Sequence, residues 1–231
     1  VIVPSRDREL LERLVDTLWA RARGDQWHIY VGLDVRDHRK ELPQTKYVQL
    51  PKHMYFRSVS DPAKTLFRPS SAINWLARNA PIATHYWALN DDAVVLTPGW
   101  DERIMELPQG WLGMSDYSPA GGWHSNFPVF TLRHLETFRT LFHPRHWGWV
   151  ADQWISKAYT IAERALPLGI HILHHQADQA RQQAIYHHQP DDPDVSEQLR
   201  WAKIISATAQ KKTGQHVLTG PFEAPQLTPP N

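Results

Sequence analysis

The spacing of apolar and polar residues changes period several times along the chain. Val1 to Val3 is a short β-branched run that stops at Pro4-Ser5-Arg6. From Glu9, the apolar residues Leu10, Leu11, Leu14, Val15 and Leu18 recur at helical spacing with charges between them, which predicts an amphipathic helix. Trp27 to Asp34 alternates and predicts a second strand that ends at an acid. Strand, helix and strand in this order predict a right-handed βαβ unit and a parallel sheet.

Beyond it, Tyr47 to Leu50 reads as a short strand, and Ala72 to Asn79 as a helix capped by Ser70 or Ser71. A strand over Thr84 to Leu89 runs straight into Asn90-Asp91-Asp92. The chain then continues extended to Leu96, and a short helix opens at Thr97 or Pro98. Strands are expected over 111–114, 127–130 and 170–174, and helices over 132–142, 151–165 and 195–211. A further helical stretch starts at Asp178 and breaks at 189–193, and the Pro-rich polar segment from Gly214 reads as a loose tail. No internal repeat is visible. The expected organisation is a catalytic domain over 1–178, a helical extension over 179–213 packed on it, and a flexible tail over 214–231.

Composition narrows the picture. At 231 residues, with 42% hydrophobic and 21% charged, the chain has the make-up of one folded domain, with or without an appendage. No apolar run reaches the roughly 20 residues needed to span a bilayer. The opening VIVPSRDREL lacks the build of a signal peptide. The absence of cysteine excludes disulfides, thiolate metal sites and cysteine nucleophiles, and it fits a reducing cytoplasm. A net charge of +1 gives no general attraction to nucleic acid. The 11 Trp and 14 His are many for this length; Trp stacks on sugars and bases but also fills cores.

Three places carry candidate chemistry. An apolar strand that ends in adjacent carboxylates, Asp91 and Asp92, offers hard oxygen donors where open α/β sheets bind ligands. Such a pair either holds a divalent cation against a diphosphate or caps the following turn. Asp152, in Trp149-Val150-Ala151-Asp152-Gln153-Trp154, is either a general base or a first-turn acid that answers the helix dipole. The neighbouring tryptophans would give a sugar or base a flat floor. His174-His175, at the end of an apolar run, either completes a metal shell or forms a surface pair. His187-His188 lies in a polar stretch and reads as surface.

Taken in order, VIVPSR, LNDDAVVLTPGWDERI, Ser115-Asp116, Asp152-Gln153-Trp154 and His174-His175 resemble the family-two-like glycosyltransferases with the A-type fold, notably a small phage and bacterial branch. The resemblance spans about residues 1 to 205 and is patchy over 35–70. It implies a Rossmann-like α/β nucleotide-diphospho-sugar transferase fold (GT-A), with a mostly parallel central sheet and helices on both faces. It implies that Pro4, Ser5 and Arg6 hold the nucleotide, with Asp34 near the base or ribose, and that Asn90 and Asp91 approach the ribose or sugar. Asp92 becomes the ligand of a divalent metal, Mn2+ or Mg2+, joined by His175, and Asp152 the catalytic base. Trp123, Trp149 and Trp154 are expected at the acceptor. The chain departs from the family pattern at Asn90 and His174, where relatives often carry acids, and at Ala151, which leaves one carboxylate for the base.

The expected activity is inverting transfer of a sugar from a nucleotide-sugar, first of all a UDP-sugar, to a hydroxyl. The acceptor is expected to be a hydroxymethylated base in phage DNA, or alternatively a surface glycan or protein. Localisation would then be cytoplasmic, in the host cytoplasm for a phage-encoded enzyme, with no obligate protein partner. For DNA the sequence offers Arg57, Lys64, Arg68, Arg139, Arg145, Arg181, Lys203, Lys211 and Lys212. A nucleotidyltransferase is the nearest rival enzyme, but Pro4-Ser5-Arg6-Asp7-Arg8 contains no glycine to cradle a triphosphate. A Trp-rich binding module without catalysis is the rival of a different class.

Overall fold

Each strand of the first βαβ unit points alternate side chains to opposite faces, so one strand feeds two cores. A computed structural model describes residues 1–5, 7–33, 44–51, 55–57, 65–67, 69–115, 125–146, 149–174 and 195–209. Strand β1 (Ile2–Ser5) leads through helix α1 (Arg8–Arg21) to β2 (Ile29–Leu33), and β3 (Thr45–Gln49) follows. Asp7 caps α1, its carboxylate accepting from the N–H of Leu10 at 3.1 Å. Leu11, Leu14, Val15 and Leu18 of α1 are buried as the helical spacing predicts, whereas Leu10 is only half-buried.

β1, β2 and β3 form a wholly parallel sheet in that order. After β4 (Tyr55–Arg57) and β5 (Thr65–Phe67), an antiparallel pair, helix α2 (Pro69–Asn79) leads to β6 (His85–Trp87). Next come β7 (Ala93–Val95), α3 (Trp100–Met105), β8 (Leu112–Ser115), β9 (Phe127–Thr131) and α4 (Leu132–Phe138). Helix α5 (Trp149–Ile161), β10 (Ala165–Pro167), β11 (Ile172–His174) and α6 (Val195–Ala209) complete the described chain. A second, mixed sheet has the order β10-β8-β9-β6, in which β9 alone runs against its neighbours.

The two sheets meet at β1 and β6. Ile2 bridges Ala88 in parallel, and the Leu89 N–H donates to the Ile2 carbonyl at 3.0 Å. β1 is therefore flanked by β2 on one side and by the end of β6 on the other, all three running the same way. On one face, Ile2, Tyr30, Tyr86 and Phe130 pack with α2, α4, α5 and α6; on the other, Val3, Val31, Trp87 and Val129 pack with α1 and α3. At Gly32 an added Cβ would lie 2.6 Å from Leu50 Cδ2 and 3.0 Å from Leu76 Cδ1, so glycine lets α2 close on β2. Helix α6 packs on α4 and α5 and contributes Trp201, Ala202 and Ile205 to the first core.

Several local expectations change. Helix α2 starts at Pro69, and Ser70 does not cap it: its hydroxyl is buried and donates to the His146 carbonyl at 3.1 Å. The short helix starts at Trp100 after a left-handed Gly99 (φ +68°), and Thr97 Oγ1 instead accepts from the His171 N–H at 2.8 Å. α4 ends at Phe138 because Arg139 turns left-handed (φ 59°). Helix α5 ends at Ile161, short of the expected Ala165, and β10 starts at Ala165, where no strand was expected. The helical stretch from Asp178 and the tail from Gly214 lie outside the described residues. No described helix is long and apolar enough to cross a membrane.

Candidate active site

A parallel sheet whose strand order turns outward in both directions from one strand leaves a crevice there, beyond the strands' carboxyl ends. In this chain β1 passes to β2 on one side, and β6 returns on the other. That point of divergence lies past Ser5 and past Leu89, where the Asn90-Asp91-Asp92 turn begins.

Asp91 spans it. Its Oδ2 accepts from Ser5 Oγ at 2.9 Å and from the Asp7 N–H at 3.1 Å, so this carboxylate ties the loop after β6 to the loop after β1. The local turn is closed without it, by the Ala93 N–H donating to the Asn90 carbonyl at 3.2 Å. Asp91 is thus a long-range staple as well as a residue of the turn. Pro4 and Ser5 are both buried in β1, with Ser5 0% exposed. This revises the part expected of them: they shape the floor and hold Asp91, and present no exposed side chain to a nucleotide. Arg6, expected beside them, and Asp34, expected near the ribose, lie outside the described residues.

Asp92 is half-buried at the same turn, directly before β7. β7 pairs antiparallel with β11 in a register that sets His174 opposite Ala93, the residue after Asp92. The backbone of His174 is therefore delivered to the acidic turn. His175 follows in sequence, outside the described residues. Among the described residues, no cluster of three or more His, Asp and Glu side chains is arranged to hold a metal. The donors present at the turn, carboxylate and amide oxygens, suit a hard divalent cation such as Mg2+ or Mn2+.

Asp152 stands in the first turn of α5, and the topology puts that turn on the same rim. α5 lies over β8, β9 and β10 and returns into β10, which is parallel to β8, so its first turn is at the carboxyl end of β8. A buried polar chain fixes this placement. Trp87 Nε1 of β6 donates to Ser115 Oγ at 3.1 Å, Ser125 Oγ donates to the Ser115 carbonyl, and the Ser125 N–H donates to Ser156 Oγ at 3.1 Å. Asp152 precedes Ser156 by one helical turn, on the same helix face and further out along the rim. Its side chain makes no hydrogen bond or ion pair with the described residues. By surface area it is only half-buried, yet the protein around it desolvates the carboxylate. That burial pushes its pKa well above the usual carboxylate range and outweighs the helix N-terminus, which favours the anion.

Of the three tryptophans expected at the acceptor, Trp154 is corrected. It is 2% exposed, its ring centroid 4.8 Å from His143, 5.1 Å from His146 and 5.1 Å from Trp201. With α6 covering it, it is a core residue and offers no floor. Trp149 opens α5 with only its backbone described, and Trp123 lies outside the described residues. The contribution of Ser125 and Ser156 was missed in the sequence, where isolated serines carry no signal of joint burial, and Ser115 entered only through the resemblance. No protein-family model matches the chain, and no curated protein is similar to it.

Proposed function

We propose that the protein is a metal-dependent, inverting glycosyltransferase, moving a sugar from a nucleotide-sugar to a hydroxyl group on a fold of the A type. The observation that carries this reading is the crevice between β1 and β6, where the Ser5–Asp91 bond at 2.9 Å joins two strand ends beside Asp92. The mostly parallel strand order, with helices over both faces, supports it. So does a desolvated Asp152 on the same rim, unpaired among the described residues.

In this mechanism Asp91 keeps the two loops in register, and Asp92, with His175, is assigned to hold the cation. A divalent cation held there would supply positive charge to offset the diphosphate leaving group. Asp152 takes the proton of the acceptor hydroxyl as that oxygen attacks the anomeric carbon from the side opposite the diphosphate. A carboxylate with a raised pKa is, once ionised, a stronger base than an ordinary one, and having no partner among the described residues leaves it available to the acceptor. The acceptor proposed first is a hydroxymethylated base in DNA, with Arg145 and Lys203 among the exposed cations.

Incubation with a panel of nucleotide-sugars, Mn2+ and either hydroxymethylated duplex DNA or small alcohols tests the proposal. Release of a nucleoside diphosphate coupled to a glycosylated product is expected, and rising salt should suppress the reaction on DNA. Release of pyrophosphate, or no turnover on any acceptor, contradicts it.

A further inference from the structure

The opposite rim of the sheet, at the amino ends of β1, β2 and β6, holds a cavity of about 470 Å³. That volume is within the range of small-molecule sites. Trp27, Tyr30 and Tyr86 form part of its wall, and each ring's polar tip is already satisfied inside the protein. Trp27 Nε1 donates to the Gly24 carbonyl at 2.9 Å, Tyr30 Oη donates to the Asn79 carbonyl at 2.9 Å, and Tyr86 Oη accepts from the Ala83 N–H at 3.0 Å. These rings therefore offer the cavity mainly apolar surface. Ile82 and Met105 also line the cavity, at 59% and 55% exposure, so part of its apolar lining faces solvent.

The charge of the lining is one-sided. Among the described residues it includes no aspartate or glutamate, whereas Lys46 belongs to it and holds its ammonium 5.7 Å from the centroid of Tyr30. Apolar walls select a planar or aliphatic body, and a cation without a competing carboxylate selects a negative group at one end. We propose that this cavity is a binding site for a planar, largely apolar small molecule that carries one negative charge, distinct from the crevice beyond the carboxyl ends of the strands.

Fluorescence titration with 8-anilino-1-naphthalenesulfonate, and with its uncharged counterpart N-phenyl-1-naphthylamine, tests the site. Both should bind the folded protein saturably at one equivalent. Lys46→Glu should weaken the sulfonate by about tenfold and leave the uncharged probe nearly unchanged. Met105→Trp, or Ile82→Trp should the first variant fail to fold, should weaken both probes while near-ultraviolet circular dichroism and nucleoside diphosphate binding stay as in the parent. Saturable binding that neither tryptophan variant alters, sulfonate affinity unchanged in Lys46→Glu, or no saturable binding of either probe would overturn the assignment.

Discussion

Two aspartates of this chain occupy the first turn of a helix, and their surroundings are opposite. Asp101 of α3 is 7% exposed and saturated: the Arg23 N–H donates to its Oδ1 at 3.0 Å, and the Gly24 N–H donates to Oδ2 at 2.7 Å. Asp152 of α5 is half-buried, meets no donor among the described residues and has its pKa driven up by desolvation. A buried carboxylate that accepts from backbone N–H groups is part of the architecture. One that is desolvated without recompense costs stability, and that cost is expected where a proton must be taken up. Sequence position alone gives both residues the same reading; the donors around them tell them apart.

The largest effect expected from this contrast is on turnover. Asp152→Asn should keep nucleotide-sugar affinity and lose about 10²- to 10⁴-fold in kcat, whereas Asp101→Asn should keep kcat in whatever fraction remains folded. Wild-type kcat in Asp152→Asn would remove Asp152 from the base role.

Acid stability sharpens the contrast from a neighbouring group. His134 Nε2 must donate to the Leu141 carbonyl at 2.9 Å, so Nδ1 accepts from Tyr159 Oη at 2.7 Å and the ring is neutral. Burial lowers its pKa to about 4 from 6.5. Between those values the unfolded chain binds more protons than the folded one, so stability falls as pH drops through this window, by about 3 kcal/mol in full. Asp152 acts with the opposite sign. Its pKa is raised, so above the ordinary carboxylate range the folded chain holds the extra proton, and stability falls as pH rises. Urea melts across pH should therefore show His134→Gln flattening the acid limb and Asp152→Asn raising stability at neutral pH. An Asp152→Asn variant less stable than the parent at neutral pH would mean that the carboxylate has a partner after all.

Asp101→Ala should cost about 1 kcal/mol, because it leaves the part-buried N–H groups of Arg23 and Gly24 without their acceptor. A chemical melt equal to the parent's would show that water replaces the carboxylate there.

The parts of the fold that were legible are those in which one stretch of sequence carries its own period. β1, α1, β2, β6 and α6 all stand close to where apolar spacing puts them. β10 was not legible because Ala165-Leu166-Pro167 is too short to carry a period of its own, and only pairing with β8 makes it a strand. The early end of α4 depends on a left-handed Arg139, where no glycine marks the stop. At the site, the run from an apolar strand into Asp91 and Asp92 was readable locally. The bond from Ser5 to Asp91 was not, since 86 positions separate the partners and only the parallel placement of β1 and β6 joins them. Trp154 misled for a related reason: what buries it is α6, some forty residues further on.

The central claim is that the crevice between β1 and β6 takes a nucleoside diphosphate together with a cation held by Asp92. Titration calorimetry of uridine diphosphate into the parent protein and into Asp92→Asn, with and without Mn2+, tests it most directly. The account predicts tight binding to the parent only when Mn2+ is present, and loss of that dependence in Asp92→Asn. Equal affinity with and without Mn2+ in both proteins, or no binding of any nucleoside diphosphate to the parent, would contradict it.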